Sequence, residues 1–168
     1  NLERLIRLES LFDNLSFSKE TVLAILLVDQ NNSQEYFLHK YNVSNEIKDS
    51  LNLMAKNFNN LEFNKKFFDK DLKKNIYFFG KNHLIALNAL HFSNTKKNKL
   101  KDYLTKLNDI KNFDIPKFYL DGNYLKEKGM KEGTLVGKTL KIIEYEWLNN
   151  DFKISKERVL EIIKTQNN

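Results

Sequence analysis

Across 168 residues the chain holds one proline and five glycines, and four of the five glycines stand at positions 122, 129, 133 and 137. This scarcity of chain-breakers constrains the fold more than any other feature, because strand-rich folds need glycine, proline and turn residues at short, regular spacing. Helices must dominate, and the pattern predicts an all-α array of about seven to nine helices. With 41% hydrophobic and 12% aromatic residues there is enough apolar surface for a sizeable core. The chain has no cysteine, which excludes a disulfide framework and a thiolate metal site and makes a reducing cytoplasm the simplest compartment. The longest apolar run, residues 22–28, is about a third of a membrane span, so no membrane partner is expected.

Periodicity places the elements. Leu2, Leu5, Leu8, Phe12 and Leu15 share one helical face, and a second apolar helix runs over residues 19–28 with Ser18 as its cap. The polar string DQNNSQ then breaks the chain. Ser44 caps a third helix whose Ile47, Leu51, Met54, Ala55 and Phe58 keep three-and-four spacing. Another passes through Phe67, Phe68, Leu72, Ile76, Tyr77 and Phe79 and stops at Gly80. The segment NHLIALNALHF is apolar on most faces, which predicts a central position. From Asn94 onward, lysines 96, 97, 99, 101, 106 and 111 surround a stripe of Leu100, Tyr103, Leu104, Leu107 and Ile110, so one side is core and the other a basic surface. Pro116 opens an extended IPKFYL linker, because the residue before a proline disfavours helix. Two or three further helices follow, the last starting at Ser155. The organisation expected is a helical body over residues 1–112 and a helical tail over 113–168.

Lysine and arginine number 28 against 22 acids, giving a net charge of +6 and a pI near 9.3, which favours an acidic partner such as nucleic acid. Only Arg4, Arg7 and Arg158 are arginine. Lysine is a point charge without the bidentate fork that reads bases, so contact with a phosphate backbone is favoured.

The glycine cluster is the richest stretch. Gly129 can terminate a short helix around Leu125; Met130 then packs inward, and Gly133 and Gly137 lie four apart at the start of the next helix, on one side. A helix start offers unpaired amides and a positive dipole end to a phosphate, with Lys131 and Lys138 flanking it. The alternative is that these glycines serve only a tight turn and close helix packing. A second basic set is Lys96, Lys97, Lys99 and Lys101.

In PKFYLDGNYLKEKGMKEGTLVGKTLKIIEYEWLNNDF, Pro116, Phe118, Leu120, Gly122, Leu125, Gly129, Met130, Gly133, Val136, Gly137, Leu140 and Trp147 fall in register, without a gap, on a known pattern. The segment resembles the C-terminal region of bacterial CCA-adding tRNA nucleotidyltransferases and the related poly(A) polymerases. Upstream, YNVSNEI and NIYFFGKNHLIALNAL are similar, more weakly, to helices of that family's body domain. Two positions depart from the pattern: Tyr124 stands where the family usually has Asp, and Thr134 where it usually has Pro.

The resemblance implies the body and tail of a class II nucleotidyltransferase, whose catalytic head and nucleotide-selecting neck precede residue 1. The opening NLERLIRLES, with neither initiator Met nor signal-peptide pattern, reads as a piece of something longer. The implied partners are tRNA, met on its acceptor and T-arm side through phosphate and ribose, and the chain's own head and neck. No cofactor is expected in this region, and Mg2+ with CTP or ATP would act in the head. Two other readings stand beside this one. A poly(A) polymerase would grip single-stranded 3′ ends, and an assembly module would join subunits, as a homodimer for instance, without touching RNA.

Catalytic groups are sparse. Asp69 and Asp71 have the spacing of paired metal-binding carboxylates, but no glycine precedes Gly80 and the segment reads as helix, so they read as a helix surface. No Glu-Asp pair occurs to select C or A, and the region should be inert alone. His39, His83 and His91 are too far apart for a metal pair on one turn. Trp147, with Phe152 and Tyr145, could stack a base, yet aromatics at helical spacing are more often core.

Overall fold

The computed structural model describes residues 1–11, 17–94, 96–97 and 99–167. These residues are all-α, with ten helices and no strand. The chain divides into two compact units, Asn1–Asp114 and Ile115–Asn168.

The first unit holds α1 (Leu2–Glu9), α2 (Lys19–Leu27), α3 (Ser33–Lys40), α4 (Asn45–Phe63), α5 (Leu72–Phe79), α6 (Lys81–Asn94) and α7 (Leu100–Asn112). Local chemistry sets several of the ends. The Ser18 hydroxyl accepts from the Thr21 amide at 3.2 Å, and that of Ser44 accepts from the Ile47 amide at 3.4 Å. Gly80 ends α5 with φ +80°. At the centre is α6, which meets α1, α2, α4, α5 and α7. Its Leu84, Leu87, Ala89 and Leu90 are wholly buried, as a helix apolar all round requires. Thr21, Gln34, Asn57, Asn88 and Ser93 bring polar groups into this interior, and the Asn88 side chain donates from Nδ2 to the Tyr103 carbonyl of α7 at 3.0 Å.

Four sequence expectations change. A tenth helix, α3, begins inside the string read as a break, because the Asp29 carboxylate accepts from the amides of Asn31 and Ser33 and from the Ser33 hydroxyl. Phe67 and Phe68 are buried but lie in turns ahead of α5. In α7, Tyr103, Leu107 and Ile110 are buried, whereas Leu100 and Leu104 stay exposed. On α1 only Leu8 is fully buried and Leu2 faces outward; Phe12 and Leu15 lie outside the described residues.

The second unit holds α8 (Gly122–Glu127), α9 (Thr134–Asn149) and α10 (Lys156–Asn167), preceded by an extended segment around Pro116. Its core is Leu120, Leu125, Met130, Val136, Ile143, Val159, Ile162 and Ile163. Buried Trp147 lies 5.2 Å from the Phe118 ring and 4.9 Å, edge-on, from that of Phe152. Seating Phe152 there takes left-handed backbone at Asp151 and Phe152, φ +52° and +62°. Each such residue costs on the order of 1–3 kcal/mol, which the aromatic packing offsets in part. Ser155 caps α10 through the Arg158 amide at 3.2 Å.

Candidate nucleic-acid interface

The α8–α9 turn is built by its glycines. The Asp121 carboxylate starts α8 by accepting from the Tyr124 amide at 2.9 Å. At the other end the Gly129 amide donates to the Lys126 carbonyl at 2.9 Å and the Met130 amide to the Leu125 carbonyl at 3.1 Å. This is the paired closure that needs a left-handed residue after the helix, and Gly129 supplies it with φ +91°. Met130 and Leu125 then join one apolar cluster. Gly133 stands ahead of α9 with φ +142° and offers no capping side chain. Gly122 has a different reason: a Cβ there would lie 3.3 Å from Val136 Cγ1, so it lets α8 approach α9.

A helix leaves its first amides without an intrahelical partner. In α9 these belong to Thr134 and Leu135, since the Val136 amide already donates to the Gly133 carbonyl at 3.2 Å. Gly137 is one turn further in, where the backbone acceptor is available, and a Cβ at that position would meet nothing within 4 Å. Of the two glycines, only Gly133 lies at the open end. Lys131 and Lys138 are exposed and in no ion pair with a described residue. Glu132, between Lys131 and Gly133, is held by Lys126 at 2.5 Å, which lowers its carboxyl pKa and balances the acid nearest the helix start.

At the first departure from the family pattern, Tyr124 packs against the second unit's core with the Lys128 ammonium 5.6 Å from its ring centroid. At the second, Thr134 is the first residue of α9.

The other basic set belongs to the first unit. Lys96 and Lys97 occupy the turn between α6 and α7, Lys99 precedes α7, and Lys101 lies in its first turn; all four are exposed. A signal that the lysine spacing alone does not convey is the lack of acids: residues 72–101 contain seven lysines and neither Asp nor Glu. Arg4, Arg7, Asn94 and Lys96 line an open groove there, together with one acid, Glu3. Arg4 is structural, donating to the Val28 carbonyl at 2.6 Å and to Asn94 Oδ1 at 2.5 Å, and the Arg7 guanidinium lies 4.6 Å over the Phe92 ring.

Asp69 and Asp71 sit in turns rather than in a helix, and Asp71 pairs with Lys74 at 3.5 Å. No group of three or more His, Asp or Glu among the described residues could hold a metal ion. His83 contacts buried Asn57 through Nε2 at 3.0 Å. Burial lowers the pKa of His83; burial, then the Lys106 charge, lowers that of His91. A cavity of about 460 Å³ beside His83 is lined by Ser18, Thr21, Met54, Leu107 and Lys111. Its one carboxylate, Glu20, does not make the acid pair that two-metal phosphoryl transfer uses. Of the three tail aromatics, Trp147 is core and Phe152 is partly buried against it, while Tyr145 is 63% exposed.

No family model matches the chain, and neither a curated protein nor a solved structure does. Among the described residues no helix is long and apolar enough to cross a membrane.

Proposed function

We propose that the chain is the tRNA-holding body and tail of a CCA-adding nucleotidyltransferase, positioning the 3′ end for a head domain that carries the Mg2+ and nucleotide chemistry. A protein that serves every tRNA has to measure shape through phosphate and ribose rather than sequence. The observation that carries this reading is the glycine-bounded start of α9: a helix N-terminus behind Gly133 without a side-chain cap, with exposed Lys131 two residues ahead of Gly133 and exposed Lys138 early in the helix. It stands where the family pattern puts its glycines. The lysines at 96, 97, 99 and 101 supply a second phosphate-seeking surface of the same chemistry.

The test is Lys131→Glu with Lys138→Glu, measured by tRNA affinity over a salt series. Binding should weaken alike for all tRNAs, and the salt dependence should flatten by about one unit of slope for each phosphate no longer neutralised. Unchanged affinity and slope would overturn the phosphate role. A preference for unstructured RNA over tRNA would move the assignment to a poly(A) polymerase. One observation favours an assembly role instead: Leu2 and Ile6, one helical turn apart on α1, are 63% and 54% exposed. Concentration-dependent dimerisation abolished by Ile6→Glu, without RNA binding, would establish it.

A further inference from the structure

The outward side of α9 has a composition that neither core packing nor ordinary solvation explains. At 3.6 residues per turn, Leu135, Lys138, Lys141, Ile142, Tyr145 and Asn149 fall on one arc about 120° wide, and all six are exposed. Three of them are large apolar residues, Leu135, Ile142 and Tyr145, at 37%, 42% and 63% exposure. Toward the C-terminal half of the helix, Lys141, Ile142, Tyr145, Glu146 and Asn149 border an open groove of about 560 Å³.

We propose that this face holds an unpaired stretch of an RNA, with one base lying on the Tyr145 ring and adjoining phosphates on the Lys138 and Lys141 ammonium groups. The proposal rests on the RNA-binding reading above and gives it a second contact, to a base rather than to backbone alone. Charge decides the occupant. Lys138 and Lys141 form no ion pair with a described residue. The one acid at the groove, Glu146, is already matched by Arg158, through Nε to Oε1 at 2.6 Å and Nη2 to Oε2 at 3.0 Å. The face is therefore cationic as well as aromatic, and a polyanion with flat apolar bases complements both properties. A second copy of the chain complements neither, because the lysines at 138 and 141 interrupt the apolar seam between Leu135 and Ile142 that a helix pair would need. Lys141 and Tyr145 are one helical turn apart, so a phosphate and a neighbouring base can be held together. Isolated aromatic platforms of this kind are tolerant of sequence, since every base has a π-face.

The experiment compares a stem–loop RNA bearing a short single-stranded 3′ tail with the same stem–loop lacking it, on the full chain, with 2-aminopurine in the tail. Tyr145→Ala should weaken the tailed RNA about tenfold, within the range for removal of one stacked base, and leave the tail-less RNA unchanged. Tyr145→Phe should bind within about twofold of the parent, and the 2-aminopurine quenching seen with the parent should vanish only in the alanine variant. Equal weakening of both RNAs, or no change in either while the parent binds both, would overturn the stacking site and leave the phosphate reading standing. Failure of the parent to bind either RNA would overturn both. A parent dimer that Tyr145→Ala dissociates would assign the face to a second copy and also overturn the proposal.

Discussion

The two units reach their stability by different routes. In Asn1–Asp114 a single helix, α6, is surrounded by five others, and burial of apolar side chains does most of the work. Among the described residues of Ile115–Asn168 there are three helices, and their packing depends on backbone positions: a left-handed glycine, a helix start at Gly133, and a glycine that lets α8 reach Val136. A large core tolerates imprecise turns, whereas a small one has to fix them. The distribution of glycine along the sequence follows from that difference.

The sole tryptophan, Trp147, makes the contrast measurable, because its aromatic neighbours Phe118 and Phe152 belong to the second unit. Its fluorescence reports that unit, while far-UV circular dichroism reports helix from both. The largest effect should come from Leu87→Ala in the middle of α6. Truncating this wholly buried side chain should cost roughly 3 kcal/mol, visible in the dichroism transition and absent from the fluorescence one. Coincident shifts of both signals would show one cooperative core instead of two.

Next in size, Gly129→Ala forces a side chain into left-handed backbone and should destabilise the fluorescence transition by about 1–2 kcal/mol. Gly137→Ala should do the opposite by about 1 kcal/mol, since the residue is helical and unobstructed. If both changes destabilise, Gly137 has a packing role that its surroundings do not show.

The smallest effect concerns pH. All three histidines precede residue 115. His83 and His91 titrate below their ordinary value of 6.5 in the folded state, so the unfolded chain binds more protons in the interval beneath it. Their stabilisation is complete above about pH 6.5 and declines as pH falls. Between about pH 7 and pH 5 the dichroism transition should soften while the fluorescence transition holds, and His83→Gln should remove part of the change.

Helix ends written in side chains were legible in the sequence: Ser18, Ser44, Gly80 and Ser155 act through bonds or dihedral angles within a few residues of themselves. The buried character of the segment around Leu87, and the turn at Gly129, were legible for the same reason. α3 was not, because its start depends on Asp29 folding back over Asn31 and Ser33, and a polar string does not announce whether its side chains cap or merely solvate. Phe67 and Phe68 were placed in the core but given the wrong backbone, since hydrophobicity reports burial and not dihedral angle. At the candidate site, the sequence named Lys131, Gly133, Gly137 and Lys138 together, and of the two glycines the structure puts only Gly133 at the open end of α9. Tyr145 was named as a ring that could stack a base, but the face it shares with Leu135 and Ile142 was not legible, because apolar spacing does not tell an outward side chain from the inward Ile143 and Trp147.

Asn88 shapes more than the core that surrounds it. Its amide meets one carbonyl, that of Tyr103, and sliding α7 along α6 by a single residue would strand the amide in hydrocarbon. Leucines alone would accept several such settings at similar energy. The bond acts as a vernier on the helix pair, choosing one alignment among near-equals, and with it the height at which α7 carries Lys99 and Lys101.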